Sequence, residues 1–252
     1  MPRKARRKSA TGVYHIILRG INKQIIFEDA DDFRTFISVL EHYRKKCDFG
    51  LYAYCLMSNH IHLLIRENKM DIGDVMKKIE VTFVKWYNEK YQRIGHLFQE
   101  RYKSEPVETE RYFLTVFRYI HQNPRSAGLE KEVGETYLWS SYREYEDEVA
   151  ILTDVEDMMS YFDSREELLD FVNRHTRDMC MEDYTPRTLS DEESLKVIAQ
   201  MTGCVSLSDF QHLDIEGRDS ALQRLLDIGF SIRQLSRLTG ISRKKLCSIR
   251  SQ

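Results

Sequence analysis

Residues that interrupt regular structure or cross-link a chain are scarce in this sequence. It has only 4 Pro and 11 Gly among 252 residues, too few for a collagen-like or low-complexity disordered chain. Its 5 Cys are odd in number and scattered without a CxxC pair, so the sequence predicts neither a disulfide framework nor a cysteine zinc site. Since hydrophobic residues make up 42% and charged residues 31%, we expect a globular protein with a substantial core.

Long hydrophobic runs are also missing. No apolar run approaches the roughly 18 residues that a membrane span needs. The basic start over residues 1–9 leads into mixed sequence rather than into the apolar core of a signal peptide. The sequence therefore predicts a cytoplasmic protein that does not associate with membranes.

An overall excess of charge of one sign is the third absence. The chain has 38 basic and 40 acidic side chains and a net charge of -2, which argues against a polycation built to bind nucleic acid. Residues 1–130, however, hold 23 basic and 16 acidic side chains, residues 131–190 hold 6 and 16, and residues 191–252 hold 9 and 8. Two basic regions around an acidic middle indicate contact with a polyanion at both ends, although a single charge cluster is more often solvated surface.

The hydrophobic patterns predict an α+β fold in the first half of the chain. Strands are predicted over residues 13–18, 51–57 and 60–66, helices over 31–46, 71–91 and 108–122, and an irregular segment or short strand over 95–106. The order β-α-β-β-α-β-α resembles a ferredoxin-like or RRM-like antiparallel sheet with helices on one face, which leaves the other face free for a ligand.

The chain divides into a first domain over 1–145, an acidic linker or wrapping segment over 146–190, and an all-α region over 191–252. Residues 231–250 have the layout of a helix-turn-helix, in which Gly240 makes the turn and Ser242 caps a second, basic helix. The alternative interpretation is a plain helical hairpin with a basic surface.

Two short patterns carry candidate chemistry. On a strand, His60 and His62 point to the same face, where two imidazoles can hold one divalent cation; a pair of ordinary surface histidines is the alternative. Tyr119 and Asn123 lie four residues apart on one face of a predicted helix, so a phenol and an amide can point together toward a strand. Neither pattern alone decides a function.

Four segments together resemble a known family. They are GVYHIILRG at 12–20, MSNHIHLL at 57–64, GHLFQERYKS at 95–104 and RYIHQNPRSAGL at 118–129. In this order and spacing they resemble the REP-associated tyrosine transposases, a branch of the single-tyrosine HUH transposases of the IS200-like insertion-sequence type, where U is a hydrophobic residue. The resemblance covers about residues 1–145 and implies an HUH endonuclease core that cuts and joins single-stranded DNA.

The resemblance implies a role for each matching residue. His60 and His62 correspond to the ligands of a Mg²⁺ or Mn²⁺ ion, and Tyr119 to the nucleophile that forms a 5′-phosphotyrosine and releases a 3′-hydroxyl. Asn123 corresponds to the helical amide that often completes the metal site, although the adjacent Gln122 leaves open which amide reaches the metal. The pKa of a free phenol is about 10, so Tyr119 needs activation, and no general base is evident in the sequence.

The positions of basic side chains predict where DNA is contacted. Residues expected to bind DNA are Arg3, Lys4, Arg6, Arg7 and Lys8 in the basic arm, Arg19, Arg101 and Lys103 around the site, and Arg243, Lys244 and Lys245 in the last helix. The implied substrate is single-stranded DNA that folds into a hairpin, in a bacterial nucleoid-associated protein that is a monomer or a homodimer.

Two other functions compete with an active transposase. One is a domesticated DNA-binding protein or regulator that keeps the fold without transposition. The other is a metal hydrolase in which His60 and His62 bind zinc and water is the nucleophile. If Tyr119 fails as the nucleophile, Tyr112, two helical turns earlier on the same face, is the next candidate.

Overall fold

The computed structural model describes residues 7–174, 180, 194–195, 198–199, 210, 213–227 and 230–250. The chain divides into two compact units, Met1–Asp178 and Met179–Gln252. Among the helices of the described ranges, none has both the length and the apolar character that crossing a membrane requires.

A four-stranded antiparallel sheet with helices forms the first unit, as predicted. The strands are β1 (Val13–Arg19), β2 (Gly50–Met57), β3 (His60–Arg66) and β4 (Lys103–Pro106), and they lie in the order β2-β3-β1-β4. The three helices between and after them are α1 (Ala30–Cys47), α2 (Ile72–Lys90) and α3 (Glu110–Ser126). The predicted α+β class and the order β-α-β-β-α-β-α are confirmed.

Both faces of the sheet are covered by helices, whereas the sequence predicted helices on one face only. Side chains alternate along a strand, so Ile16 of β1 and Leu63 of β3 enter the main core with α1 and α2. His15 and His62 point to the other face, where α3 lies. Helix α3 covers that face because its own apolar stripe, which includes Phe117, must also be buried.

Helix α3 is longer than predicted. The side chain of Thr109 accepts a hydrogen bond from the backbone N–H of Tyr112 and thereby fixes the start of the helix. The sequence predicted an end at residue 122 because Asn123-Pro124 normally stops a helix, but α3 continues to Ser126 with Pro124 buried in its last turns. Tyr119 therefore lies inside the helix rather than near its end.

Three short helices follow α3 in the first unit: α4 (Tyr142–Glu146), α5 (Val155–Met159) and α6 (Arg165–Asn173), of which α5 and α6 lie in the predicted acidic segment. This unit thus extends past the domain end predicted at residue 145. Residues after α3 bond to the outer edge of β2: the N–H of Leu56 donates to the carbonyl of Trp139 at 2.8 Å, and the N–H of Leu51 donates to the Asp154 carboxylate at 2.7 Å. Most of the predicted segment after Arg174 lies outside the described residues.

The second unit contains three described helices around a separate apolar cluster. They are α7 (Ile215–Asp227), α8 (Ile232–Thr239) and α9 (Arg243–Arg250). The Ser231 hydroxyl caps α8, and Gly240 ends it with a positive φ of 73° that suits glycine. A helix, a glycine turn and a second helix thus follow one another as the sequence pattern indicates, while the role of this unit in DNA binding stays a prediction.

Candidate active site

Three histidines lie together on the sheet face that α3 covers. His60 and His62 are two residues apart on β3, and their ring centroids are 5.0 Å apart. His15 of β1 places its Nε2 3.1 Å from Nδ1 of His62, and both of these side chains are completely buried. The structure therefore brings the predicted pair together and adds His15, to which the sequence reasoning gave no role.

Tyr119 projects from α3 toward this cluster. Its ring centroid lies 5.7 Å from that of His62 and 6.0 Å from that of His15, and the side chain is only half-buried. The hydroxyl of Tyr112 instead donates to the Glu105 carboxylate at 2.6 Å. Of the two tyrosines, Tyr119 is thus the one for which the structure shows ring contacts with the histidines.

The two neighbouring amides point in different directions. The Asn123 side chain hydrogen bonds to His60, and its Nδ2 donates to the carbonyl of Tyr119 at 2.8 Å. Gln122 is buried and donates from Nε2 to the carbonyls of Val172 and Arg174 at 2.5 and 2.8 Å. Consecutive helical residues differ by about 100° in direction, so only one of them can face the sheet. That residue is Asn123.

Burial sets the protonation of the histidines. It lowers the pKa of His15 to about 3, and it lowers the pKa of His60 to about 4, with a further contribution from the positive charge of Arg19. Burial also lowers the pKa of His62 well below its ordinary value. The imidazoles are therefore neutral at pH 7 and keep the lone pairs that a metal ligand requires.

Positive charge lies beside the tyrosine. Arg19 ends β1, pairs in register with His60 and is half-buried. Burial lowers the pKa of the Arg19 guanidinium, and its attraction to the Tyr119 phenol opposes that shift. Lys103 at the start of β4 has a pKa lowered by burial and by Arg19, whereas Arg101 is exposed in the preceding loop.

The other predicted DNA-binding residues are spread over the two units. Arg7 is exposed, and Lys8 is also exposed and lies 3.2 Å from the carboxylate of Asp71. The remaining arm residues, Arg3, Lys4 and Arg6, lie outside the described residues. On α9, Arg243 and Lys244 are exposed, while Lys245 forms an ion pair with Asp219 of α7 at 2.5 Å.

The donor atoms of the site fit a divalent ion held with the help of water. Over the ranges that the structure describes, no group of three or more His, Cys, Asp or Glu side chains is arranged to hold a metal. The set available here is two neutral imidazoles, from His60 and His62, and the amide oxygen of Asn123 beside them. Mixed nitrogen and oxygen donors of this kind suit a transition metal such as Mn²⁺, and Mg²⁺ ordinarily keeps several waters.

Comparison with known proteins identifies the family. Residues 8–123 match the family described as "Transposase IS200 like". Over this segment, which is slightly less than half of the chain, the protein is similar to the IS200-like transposases. The family predicted from the four sequence segments is thereby confirmed, and the matched range contains the histidine cluster, Tyr119 and Asn123.

One solved structure shows the same architecture. The chain is similar to a structure described as the REP-associated tyrosine transposase bound to a REP hairpin, with 15% identity and a TM-score of 0.50 over 62% of this chain and 93% of that one. A putative transposase from Deinococcus radiodurans matches with 20% identity and a TM-score of 0.34, over 47% of this chain and 95% of that one. No curated protein matches the chain. The first likeness shows that the fold is shared.

Proposed function

We propose that this IS200-like transposase is a single-stranded DNA endonuclease and strand transferase with Tyr119 as its nucleophile. The observation that carries the proposal is the placement of the Tyr119 ring 5.7 Å from the His62 ring, with the guanidinium of Arg19 close enough to attract the phenol. A nucleophile, metal-ligating side chains and a cation for the developing charge thus converge on one sheet face.

The cleavage step consumes no cofactor. The Oη of Tyr119 attacks the scissile phosphorus in line and loses its proton to solvent. The bond from phosphorus to the 3′ oxygen breaks, and that oxygen takes a proton from solvent and leaves as a 3′-hydroxyl. The 5′-phosphate remains on Tyr119 as a phosphotyrosine, so a second 3′-hydroxyl can reverse the step and join strands without ATP.

The residues around Tyr119 have distinct parts in this step. His60, His62 and Asn123 would hold Mg²⁺ or Mn²⁺, which when bound supplies polarisation of the phosphate and stabilisation of the leaving oxygen. Arg19 favours the deprotonated phenol, because an adjacent positive charge stabilises the phenolate; this is the activation for which the sequence offered no candidate. Lys103 and the exposed Arg101 supply contacts to DNA phosphates.

Hairpin-forming DNA is the substrate that we propose. The solved REP-associated tyrosine transposase, to which the chain is similar over 62% of its length, is described as bound to a REP hairpin. In this chain, the exposed basic residues Arg243 and Lys244 on α9 would bind the duplex stem, and α9 would serve as the second helix of a helix-turn-helix. Such a protein would work at the bacterial nucleoid.

A covalent adduct tests the function. The full chain is incubated with Mg²⁺ or Mn²⁺ and with labelled hairpin-forming single strands from the DNA that flanks its own gene. We expect a DNA–protein adduct that survives denaturing electrophoresis, its loss in Tyr119→Phe, and retention of DNA binding by that variant. Tyr112→Phe, which removes the hydroxyl bound to Glu105, is the matched control and should still form the adduct.

The other outcomes identify the competing functions. DNA binding without cleavage by the wild-type chain would favour a domesticated regulator. Metal-dependent cleavage without an adduct would favour a hydrolase that uses water. An adduct that persists in Tyr119→Phe and disappears in Tyr112→Phe would move the nucleophile to Tyr112.

A further inference from the structure

The contact between His15 and His62 has a chemical requirement of its own. The two nitrogens are 3.1 Å apart, and the rings are nearly parallel at 24° with centroids 5.3 Å apart. A hydrogen bond between two neutral imidazoles needs one donor and one acceptor. The proton between Nε2 of His15 and Nδ1 of His62 therefore belongs to one ring, and its position fixes the tautomer of the other.

Only one of the two arrangements leaves His62 able to bind a cation. If Nε2 of His15 donates, neutral His62 carries its own proton on Nε2 and has no lone pair there. If Nδ1 of His62 donates, its Nε2 lone pair is available to a metal. The acceptor in this second arrangement is Nε2 of His15, which then holds the plane of the His62 ring as well as its tautomer.

Stability does not account for a histidine at position 15. Its side chain is completely buried, and its Nδ1 has no hydrogen-bond partner among the residues that the structure describes. A buried imidazole nitrogen without a partner costs free energy, which an apolar side chain on the same strand would avoid. Within the described residues, the one hydrogen bond that the imidazole of His15 makes is the bond to His62.

We propose that His15 is a positioning residue for the metal site: by accepting a hydrogen bond from Nδ1 of His62, it orients that ring and directs its Nε2 lone pair to the metal. The inference rests on the proposed function, since it takes His62 to be a metal ligand. Partners that orient a ligating histidine typically change metal affinity about 10- to 100-fold when they are removed.

The test compares two substitutions of His15 in the full chain. His15→Gln keeps an acceptor oxygen at the place of Nε2, whereas His15→Phe keeps the ring volume and removes the acceptor. Binding of Mn²⁺ in the absence of DNA is measured by calorimetry and by electron paramagnetic resonance. We expect His15→Phe to weaken Mn²⁺ binding by about 10- to 100-fold and His15→Gln to restore most of the wild-type affinity.

Another buried histidine supplies the control. His121 is equally buried, but its nitrogens contact the carbonyl of Phe117 at 3.0 Å and the hydroxyl of Ser141 at 2.8 Å. His121→Gln should leave Mn²⁺ affinity unchanged. Nitrogen-15 resonance of the Mg²⁺-saturated wild type should show the His62 proton on Nδ1.

Each remaining outcome counts against a specific claim. Wild-type Mn²⁺ affinity in His15→Phe, or a His62 proton on Nε2 in the Mg²⁺-saturated protein, overturns the role of His15 and leaves the metal site standing. A wild-type chain that binds neither ion and forms a Tyr119 adduct in the presence of a chelator overturns the metal site itself, and the role of His15 with it.

Discussion

Buried histidines link the fold of the first unit to pH. The pKa of His121 is lowered to about 3, as is that of His15, and in both cases the main cause is burial. The pKa of a histidine in the unfolded chain is about 6.5. Because the folded pKa lies below the unfolded pKa, the stabilisation from these groups is fully present above about pH 6.5 and is lost as the pH falls toward 3.

Acid should therefore unfold the protein progressively. At about pH 5, we expect each such histidine to have lowered the free energy of unfolding by up to roughly 2 kcal/mol relative to neutral pH. Urea denaturation at neutral pH and near pH 5 measures the difference. His121→Gln should reduce the pH dependence of the free energy of unfolding by the contribution of one histidine. An identical pH dependence in variant and wild type would show that His121 makes no such contribution.

Loss of the Arg19 guanidinium should slow the chemical step. We expect Arg19→Gln to slow adduct formation at saturating DNA by about 10- to 100-fold, because the phenolate and the developing charge lose a nearby cation. Single-turnover cleavage under excess DNA measures this rate. Arg101→Gln, an exposed arginine in the loop before β4, is the matched control and should weaken DNA binding without slowing the saturated step. Equal rates for Arg19→Gln and wild type would remove Arg19 from the chemistry.

The acidic segment supports α3, the helix that carries Tyr119. On the side of α3 away from the histidines, the Arg118 guanidinium lies 4.3 Å from the centroid of the Phe171 ring, and Gln122 donates to the carbonyls of Val172 and Arg174. These carbonyls end α6 and lack helical partners of their own. As far as Arg174, the segment is therefore a packing layer behind α3.

A substitution at Gln122 distinguishes structural support of α3 from metal binding. Gln122→Leu removes the donor and leaves buried carbonyl groups unsatisfied, so we expect it to lower the free energy of unfolding by about 1–3 kcal/mol. Its Mn²⁺ affinity should stay at the wild-type value, while Asn123→Ala should weaken Mn²⁺ binding with a smaller effect on unfolding. The reverse pattern in calorimetry and urea denaturation would make Gln122 the metal-site amide.

The sequence predicted long elements well and contacts between them poorly. The alternation and composition of residues 13–18 and 60–66 placed β1 and β3 to within one residue. Helices α4 and α5, of five residues each, are too short for a helical period to show in a sequence. The role of His15 depends on the pairing register of β1 with β3, which the residues of one strand alone do not determine.

The adjacent amides show a second limit of the same kind. From the sequence, Gln122 and Asn123 are equally placed, and only the direction from which the sheet approaches α3 distinguishes them. The predicted pairing of His60 with His62 did not depend on such a contact, since the two-residue period of a strand suffices. Local periodicity could thus be read from the sequence, whereas the side from which the sheet contacts α3 could not.

Across the whole molecule, some charged side chains form ion pairs within the chain and others remain exposed. Acids of the middle block pair with the first block, as in the ion pairs of Arg44 with Asp154 and of Arg66 with Asp157. Arg243 and Lys244 of the second unit stay exposed. The net charge of -2 therefore does not describe the surface that we expect DNA to meet.

Salt should reveal these local contacts. If Arg243 and Lys244 each bind a phosphate, the double substitution Arg243→Gln, Lys244→Gln lowers the slope of log affinity against log salt by roughly 2. Cleavage at saturating DNA should be unchanged, since the Tyr119 site lies in the other unit. Fluorescence anisotropy over a salt series measures the slope, and an unaltered slope would contradict duplex binding by α9.

The covered edge of β2 also limits how copies of the chain can assemble. A sheet continues into a second molecule only where an edge strand offers open backbone donors and acceptors. The chain itself occupies such groups along β2, through Trp139 at Leu56, Ser141 at Tyr54 and Asp154 at Leu51. Two protomers therefore cannot merge their sheets across β2, and a homodimer would have to form through a different surface.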